Sequence, residues 1–410
     1  MQKPPTSPPR QQPLLYHDLL TPEEVLRIRE EVRHFAEAEV APRAWEIGHR
    51  EESREHFPHE LFRLMADAGL FRIPFRSAVG GRGLQYTATA TAVVIEELAY
   101  YSNSVAAIYD VHCILTGHAL EHASQDVQDR YLHPLLAGEK IGCFATTEPN
   151  ASTDLSVNAL ETVARKVGDQ YRVSGHKRFI TNSPVADFIV MLCREGDRMT
   201  ELVVDLDSPG VRVGKPDLKL GNHGQLTADT YFDDVAVPAR NLVGAPGSGL
   251  RVALQTLTYG RIGIAASGVG MAQSIFDHAV ERLKTRRAFG KAIAQFQHWQ
   301  FKMAERATEI ENARNLYLKA ALRMDAGVSF PEPEAAMAKY YATQLAGEFA
   351  RDGVQIFGGY GFMRELSHDQ SRYHVEEVYR DAKIAEIYEG ANEIQKWIIA
   401  RTIFGKEITG

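Results

Sequence analysis

The hydrophobic pattern of this 410-residue chain changes its period twice, and that change constrains the fold more than any other feature. Up to about residue 139, apolar residues recur every three or four positions, as on a packed helix. Between residues 140 and 246, short runs rich in Val, Ile, Tyr and Phe alternate with Gly-containing turns, which is typical of strands. After residue 247 the helical period returns. We therefore expect a β domain between two helical regions.

Individual elements can be placed within these regions. The segment Thr21-Pro-Glu-Glu begins a helix, with Thr as N-cap, Pro in the first turn and two acids after it. We predict N-terminal helices at 21–47, 59–68, 86–100, 104–122 and 124–137. We predict strands at 163–167, 170–174, 177–181, 188–193, 201–206, 211–213 and 230–237. We predict C-terminal helices at 251–285, 303–324, 332–357 and 371–401, the last of them broken at Glu389-Gly390.

Dense short strands predict a small antiparallel barrel or sandwich, and four long helices predict a bundle. The fold class is therefore α+β and mostly α. We predict a helical N-terminal domain (21–139), an antiparallel β-barrel-like middle domain (140–246) and a C-terminal four-helix bundle (247–410). Residues 1–20 are expected to form a flexible tail, whose Pro-rich part, residues 1–14, is either disordered or loosely docked.

The composition excludes several classes of function. The formal net charge is -7, which gives no basic footprint for nucleic acid or anionic lipid. Three widely spaced cysteines offer no disulfide framework and indicate buried side chains in a reducing compartment. Neither a membrane span nor a signal peptide is evident, so a cytoplasmic protein is expected.

The segment Phe144-Ala-Thr-Thr-Glu-Pro-Asn-Ala-Ser-Thr-Asp154 is the strongest local signal. It places four hydroxyl groups and several small residues at the start of the strand region. Hydroxyl and backbone donors there can bind the polar atoms of a flavin or a phosphate. A polar loop with Pro149 as turn former explains the same composition. The segment alone leaves both interpretations open.

Two other signals do not predict a site. His118 and His122 are four residues apart on a predicted helix, but Glu121 is not placed as in His-Glu-x-x-His and no third ligand is evident. Gly268-Val-Gly270 lies inside a predicted helix with no strand before it, unlike a dinucleotide fingerprint. We predict no metal site.

Several segments, taken in order, resemble the acyl-CoA dehydrogenase family over roughly residues 20–405. They are 144–154, Phe179-Ile-Thr-Asn182, Tyr231-Phe-Asp-Asp-Val-Ala-Val-Pro238, Arg286-Arg-Ala-Phe-Gly-Lys291, Gln355-Ile-Phe-Gly-Gly-Tyr-Gly361 and 379–392. Each would be a weak match by itself, but their order and spacing together are specific. The resemblance implies FAD as cofactor, an acyl-CoA substrate, an electron-transferring flavoprotein as electron acceptor, and a homotetramer built from dimers.

The resemblance also implies roles for individual residues. Glu389, within Ile-Tyr-Glu-Gly-Ala-Asn, matches the catalytic base of the family. Some members place the base one residue before the Arg that matches Arg261, where this chain has Gly260. The implied FAD contacts are Phe144, Thr146, Thr147, Ser152, Thr153, Phe179, Thr181, Ala391 and Glu393, with Arg286, Phe289, Gln297, Gln355 and Gly359 reaching the FAD of a neighbouring subunit. The implied substrate contacts are Tyr109, Asp110, Thr258, Arg261, Tyr388 and Gly390.

The chemistry that the resemblance implies is α,β-dehydrogenation of an acyl-CoA to the trans-2-enoyl-CoA. Glu389 would take the α-proton while hydride passes from Cβ to flavin N5. The thioester carbonyl would accept hydrogen bonds from the Glu389 backbone N–H and from a ribityl hydroxyl of FAD, which stabilise the developing enolate. A dry site would raise the pKa of Glu389.

The acyl group is expected to be short, medium or branched, and the bulky Tyr109 favours the short or branched kinds. Three alternatives stay open. The substrate could be an acyl-carrier-protein thioester, the fold could serve a flavin monooxygenase or oxidase, or the protein could be a non-catalytic flavin protein that binds DNA. The net charge of -7 disfavours DNA binding.

Overall fold

The computed structural model of the protein describes residues 7–16, 21–151 and 153–410. It confirms the predicted fold class, because a β-sheet lies between two helical regions. Helices α1 to α8 of the N-terminal domain span Gln12–Leu15, Glu23–Phe35, Ala41–His49, His59–Asp67, Thr87–Tyr101, Asn103–Tyr109, Gln125–Val127 and His133–Leu136. π-Helical turns continue three of them, at Ala36–Val40, Asp110–His118 and Gln128–Leu132.

The middle domain is a single sheet. Strands β1 to β8 span Gly142–Ala145, Val163–Val167, Gln170–Thr181, Phe188–Glu195, Arg198–Asp205, Val211–Val213, Thr227–Pro238 and Leu242–Val243. Their order is β6-β7-β3-β2-β4-β5-β8, and β1 pairs with β4. Most neighbours are antiparallel as predicted, but β1 and β2 both run parallel to β4. No hairpin joins these pairs, since other chain segments intervene between them.

Two predicted strands are one strand in the structure. The segments 170–174 and 177–181 join in β3, which pairs with β7 along its length. The pairing shifts register between Val173 and Gly175 and again between Lys177 and Ile180. A Gly at the first irregularity suggested a turn, whereas the chain bends there without reversing.

The C-terminal domain contains the long helices. Helices α9 to α15 span Gly249–Thr285, Gln297–Asp325, Glu334–Phe357, Gly359–Phe362, Val375–Ala385, Asn392–Phe404 and Lys406–Thr409. A hairpin of β9 (Arg287–Ala288) and β10 (Lys291–Ala292) follows α9. The break predicted at Glu389-Gly390 lies in the connection between α13 and α14.

Small residues let α9 approach its neighbours closely. A Cβ on Gly268 would lie 2.8 Å from the Ala342 carbonyl oxygen of α11, and a Cβ on Gly270 would lie 2.3 Å from the Glu96 carbonyl oxygen of α5. Gly inside a helix costs about 1 kcal/mol relative to Ala. Here the absent side chains allow the backbones to pack, which brings the N-terminal and C-terminal domains into one core.

Buried charges also join these two domains. The Glu96 carboxylate of α5 accepts hydrogen bonds from Arg314 (Nη2–Oε1, 3.0 Å) and from the Tyr317 hydroxyl, both on α10. Burial by itself would raise the pKa of Glu96, but the neighbouring Arg314 and Arg29 lower it to about 2. The carboxylate therefore stays charged inside the core, paired and hydrogen-bonded as a buried charge must be.

The described part of the N-terminal tail is docked. Arg10 lies 3.2 Å from the centre of the Tyr100 ring and forms an ion pair with Glu97 (Nη2–Oε2, 3.1 Å). The Gln11 backbone N–H donates to Asp277 Oδ1 at 3.1 Å, and the Tyr16 hydroxyl donates to the Ala307 carbonyl at 2.8 Å. Residues 7–16 are therefore in contact with the folded domain, since Arg10 pairs with the buried Glu97 carboxylate.

No helix in the described ranges combines the length and the apolar character that a membrane crossing requires.

Candidate active site

A cavity of about 940 Å³ opens between the sheet and the C-terminal helices. Its walls come from the end of β1 and the loop after it, the end of β3, one face of α9, the turn before α14, and α14 itself. The sequence-predicted residues among its lining are Phe144, Thr146, Thr147, Thr153, Phe179, Thr181, Thr258, Arg261, Tyr388, Glu389 and Gly390. The fold thus brings together residues that lie up to 246 positions apart in the sequence, 144 to 390.

Glu389 lies in a turn with unusual backbone geometry. Its φ is +54°, and that of Gly390 is +92°. A non-glycine residue in the left-handed region costs free energy, on the order of 1–3 kcal/mol, and the conformation persists only where the surroundings impose it. Here the turn reverses the chain between α13 and α14 and points the Glu389 side chain into the cavity.

Side chains from three helices hold this turn. Lys339 Nζ of α11 and Gln395 Nε2 of α14 both donate to the Gly390 carbonyl, at 3.0 and 2.8 Å. Arg261 Nε of α9 donates to the Glu389 carbonyl at 3.4 Å. Lys339 Nζ also donates to Asn392 Oδ1 at 3.0 Å. The two carbonyls of the strained turn are therefore fixed by bonds to three separate elements.

The Glu389 carboxyl group is enclosed although the residue as a whole is half-buried. Its Oε2 is inaccessible to solvent, and a Cβ on Gly260 would lie 2.0 Å from that oxygen. Burial raises the pKa of Glu389, while a hydrogen bond from Asp110 and the positive charges of Lys339 and Arg261 act in the opposite direction. A carboxyl group with a raised pKa in a cavity has the property expected of a general base.

A buried ion pair between Glu148 and Lys177 fixes the Thr-Glu-Pro segment, residues 147–149. Lys177 Nζ of β3 lies 2.7 Å from Glu148 Oε1, and both side chains are shielded from solvent. The backbone N–H groups of Glu161 and Thr162 donate to the same carboxylate at 2.6 and 3.1 Å. Burial would raise the pKa of Glu148, but Lys177 and these donors lower it overall. Glu148 is therefore a structural anion, and the neighbouring hydroxyl-bearing residues line the cavity on a fixed segment.

Phe179 provides an aromatic surface at the cavity. Its φ is +59°, and 60% of the residue is exposed even though it lines the cavity wall. The Thr181 hydroxyl, two residues further along β3, accepts a hydrogen bond from Gln225 Nε2 at 2.6 Å. An exposed aromatic ring beside hydroxyl groups can bind a planar polar ring system.

Two predicted substrate contacts are already engaged within the protein. Arg261 Nη1 forms an ion pair with Glu332 Oε1 at 2.6 Å, and the Thr258 hydroxyl donates to the Leu254 carbonyl of its own helix at 2.8 Å. Both residues line the cavity, but Arg261 also holds the turn of Glu389.

Other predicted residues are not among those that line the cavity. Tyr109 is fully buried, and its hydroxyl donates to the Leu70 carbonyl at 3.1 Å in the N-terminal core. Ser152 is outside the described residues. Asp110, Ala391 and Glu393 are also not part of the lining. The same holds for the residues expected to reach a neighbouring subunit, which are Arg286, Phe289, Gln297, Gln355 and Gly359. Among them Phe289 is 95% exposed at the tip of the β9–β10 hairpin.

Two groups of functional residues escape sequence reasoning. Lys339 and Gln395 hold the turn of Glu389 through hydrogen bonds to the Gly390 carbonyl. A Lys or a Gln within a predicted helix has no sequence pattern that marks such a role. Gly260 and Gly263 leave space for two carboxyl groups, those of Glu389 and Asp110. Their spacing of three residues on a helix was the available signal, because it places both glycines on one face.

Comparisons with known proteins agree with this geometry. Models of the N-terminal, middle and C-terminal domains of acyl-CoA dehydrogenases match residues 22–139, 143–235 and 247–404. A short-chain-specific acyl-CoA dehydrogenase of Clostridium acetobutylicum is 39% identical over 94% of this chain and 99% of its own. The CarC subunit of the caffeyl-CoA reductase–Etf complex of Acetobacterium woodii is 36% identical, over 92% and 98%. Butyryl-CoA dehydrogenase from Megasphaera elsdenii superposes with a TM-score of 0.85 and 33% identity, over 93% and 98%.

Proposed function

Since this chain belongs to the acyl-CoA dehydrogenases, a family of FAD-dependent oxidoreductases, we propose that it dehydrogenates a short or branched acyl-CoA thioester to the trans-2-enoyl-CoA with Glu389 as the α-proton base. The observation that carries the proposal is the enclosed Glu389 carboxyl group, whose pKa burial raises, at the wall of a cavity large enough for both a cofactor and an acyl chain.

The residues of the cavity fit FAD. The exposed ring of Phe179 offers a face for a planar ring system, although many members of the family carry Trp there. Thr146, Thr147 and Thr153 bring hydroxyl groups to the same cavity on a segment fixed by the Glu148–Lys177 pair. These residues, with Phe144 and Thr181, would hold the cofactor. Bound FAD would supply the acceptor for the hydride that leaves Cβ.

The chain itself supplies the proton chemistry. The Glu389 carboxylate would take the α-proton of the thioester, so that the C–H bond breaks and an O–H bond forms on the carboxyl group. The Glu389 backbone N–H donates to no acceptor within the described residues. That free donor, fixed by the strained turn, is suited to the thioester carbonyl, where it would stabilise the developing enolate oxygen.

The names of two relatives support a short acyl group, since one is a short-chain-specific enzyme and one a butyryl-CoA dehydrogenase. The buried apolar side chains of Val111 and Leu115 are part of the cavity lining, and they suit an alkyl chain rather than a charged group.

We also propose an electron-transferring flavoprotein as the redox partner, because the A. woodii relative is named as a subunit of a complex with Etf. The homotetramer stays a proposal of the same kind. It is supported by Phe289, a large apolar side chain that is 95% exposed and lies away from the cavity of its own chain.

Anaerobic titration tests the proposed function. The purified protein, reconstituted with FAD, would be mixed with butyryl-CoA, isobutyryl-CoA or octanoyl-CoA while the oxidised flavin band is followed. We expect bleaching with butyryl-CoA or isobutyryl-CoA, faster than with octanoyl-CoA. In Glu389→Gln the rate should fall by roughly 1,000-fold or more, because the base is removed. Glu386→Gln, in the same connection but paired with Lys383, is the matched control and should retain the rate.

Two outcomes would contradict the proposal. A flavin that no acyl-CoA reduces would exclude dehydrogenation of acyl-CoA thioesters. Equal bleaching in Glu389→Gln and in the unmodified protein would exclude Glu389 as the base.

A further inference from the structure

A second carboxyl group lies beside that of Glu389. Asp110 begins the π-helical turn Asp110–His118 and is buried, with 1% of the residue exposed. Burial raises the pKa of Asp110, and the neighbouring Glu389 carboxyl group raises it further. Neither Asp110 oxygen nor Glu389 Oε2 accepts a hydrogen bond from any nitrogen or hydroxyl group within the described residues.

One helix provides the space for both carboxyl groups. A Cβ on Gly260 would lie 2.0 Å from Glu389 Oε2, and a Cβ on Gly263 would lie 2.4 Å from Asp110 Oδ1. Residues three apart on a helix are neighbours on one face, so Gly260 and Gly263 of α9 form one recess, which we call the glycine recess. The recess accommodates two carboxyl groups at once, which no single acid would require.

Two buried carboxyl groups in contact cannot both ionise at neutral pH, because like charges repel strongly where water is excluded. The groups around the pair decide which one keeps the proton. Lys339 and Arg261 face Glu389, and Arg261 is itself paired with Glu332. The groups facing Asp110, apart from Glu389, are uncharged in their usual forms, and burial raises the pKa of every one of them: Tyr109, Cys113, Tyr259 and Tyr388. Both cations therefore favour the negative charge on Glu389.

We propose that Asp110 is a positioning residue that keeps its proton and donates it as a hydrogen bond to the Glu389 carboxylate, so that the base is held and stays ionised inside a dry cavity. This inference rests on the proposed function of Glu389. During the reaction Glu389 takes the α-proton and the pair passes from one negative charge to none. Asp110 exchanges no proton with the substrate.

The pH dependence of flavin reduction tests the inference through the sign of a shift. The rate rises with pH as Glu389 ionises. If protonated Asp110 donates to the carboxylate, Asp110→Ala removes a hydrogen bond that favours the charged form. The midpoint of the profile should then move up by roughly one to two pH units. If Asp110 were ionised instead, removing its charge would move the midpoint down.

Further variants separate this role from a structural one. Asp110→Asn keeps a donor of similar size and should recover at least half of the upward shift. Gly263→Ala pushes the Asp110 carboxyl group aside and should raise the midpoint as Asp110→Ala does. It replaces Asp110→Ala if that variant folds poorly. Cys113→Ala removes another buried side chain three residues further along the same helix, and it should leave the midpoint unchanged.

An unchanged or lowered midpoint in folded, flavin-loaded Asp110→Ala would overturn the inference. So would an Asp110→Asn midpoint equal to or above that of Asp110→Ala. Failure of the proposed function itself would look different, because the unmodified protein would then show no reduction by acyl-CoA at any pH.

Discussion

At Gly260 the absence of a side chain serves Glu389. The Glu389 Oε2 atom lies where the first carbon of any side chain on residue 260 would be, 2.0 Å from the ideal Cβ position. A side chain at position 260 would therefore force the Glu389 carboxyl group to move from its present place. This gives a physical reason for Gly one residue before Arg261 in a chain that carries its base at position 389.

Gly260→Ala should displace the Glu389 carboxyl group without changing its chemistry. We expect the rate of flavin reduction by a saturating acyl-CoA to fall by roughly 100-fold, since a shift of about 1 Å at a reacting group can cost that much. Stopped-flow absorbance measures it. Gly347→Ala is the matched control on α11, where a Cβ would meet only the end of the Glu386 side chain. A fall of less than tenfold in Gly260→Ala would show that the contact is not critical.

Lys339 acts on Glu389 both through a bond and through its charge. It is fully buried, and burial lowers its pKa to about 7 although Glu389 opposes this. Below that pH Lys339 is a cation, which lowers the pKa of Glu389. The acid range of the pH profile is therefore where the charge of Lys339 matters most.

Lys339→Met should slow flavin reduction by roughly tenfold or more and should raise the midpoint of the pH profile, because the Gly390 carbonyl loses a donor and Glu389 loses a nearby positive charge. Rapid-reaction absorbance between pH 6 and 9 measures both. Thr343→Val is the control, since the Thr343 hydroxyl contacts Asn392 but carries no charge. A pH midpoint in Lys339→Met equal to that of the unmodified protein would show that the charge of Lys339 does not lower the pKa of Glu389.

At the scale of elements, Arg10 joins the described tail segment, residues 7–16, to α5. Arg10 shares the buried Glu97 carboxylate with Arg33 of α2, whose Nη2 lies 2.8 Å from Glu97 Oε1. Burial by itself would raise the pKa of Glu97, and Arg10 and Arg33 together lower it instead. The tail therefore completes a buried charge cluster and is part of the folded domain.

Arg10→Ala should lower the free energy of unfolding by about 1–3 kcal/mol, because the buried Glu97 carboxylate would lose its ion pair with Arg10. Thermal and denaturant unfolding of the flavin-loaded protein measure the change. Arg27→Ala on α2 serves as the comparison, since the Arg27–Glu23 pair is exposed and such pairs contribute little. Equal free energies of unfolding for the two variants would show that the buried Arg10–Glu97 pair stabilises the protein no more than the exposed Arg27–Glu23 pair does.

The sequence predicted elements well where one pattern decides them. Strands Val163–Val167 and Val211–Val213 were placed to the residue, since each lies between clear turn signals. The sequence does not predict features that depend on contacts between residues far apart in the chain. The ion pair between Arg10 and Glu97 and the hydrogen bond from Tyr109 to the Leu70 carbonyl both join residues that are far apart in the sequence, and no local pattern announces them. Glu389 was found through its motif, whereas the supports of its turn come from three helices that only the fold brings together.

At the scale of the whole molecule, buried carboxyl groups set the pH range of stability. Glu201 of β5 is fully buried with no hydrogen-bond partner for its carboxyl group in the described ranges, and burial raises its pKa to about 8. Between pH 4.5 and 8 the folded protein therefore holds a proton that the unfolded chain has lost. The contribution of Glu201 to stability falls as pH rises through this window.

Glu201→Gln should remove this dependence. We expect the variant to gain about 1–2 kcal/mol relative to the unmodified protein at pH 8 and little or nothing at pH 5, because a neutral amide takes up no proton on folding. Unfolding by urea at the two pH values measures the difference. Glu139→Gln, an exposed carboxylate before the sheet, should show no such pH-dependent gain. A gain of the same size at both pH values would contradict the ionisation argument.

The left-handed turn at Glu389 and Gly390 also bears on how this protein would fail when warmed. Backbone free energy of about 1–3 kcal/mol is stored there and is retained only while the bonds from Arg261, Lys339 and Gln395 persist. A few residues can relax at far lower cost than the whole core, so local opening precedes global unfolding. The Glu389 carboxyl group would then leave its position in the cavity while the helices and the sheet are still intact. We therefore expect flavin reduction to be lost on heating at a lower temperature than the helical structure, which parallel activity and unfolding measurements would check.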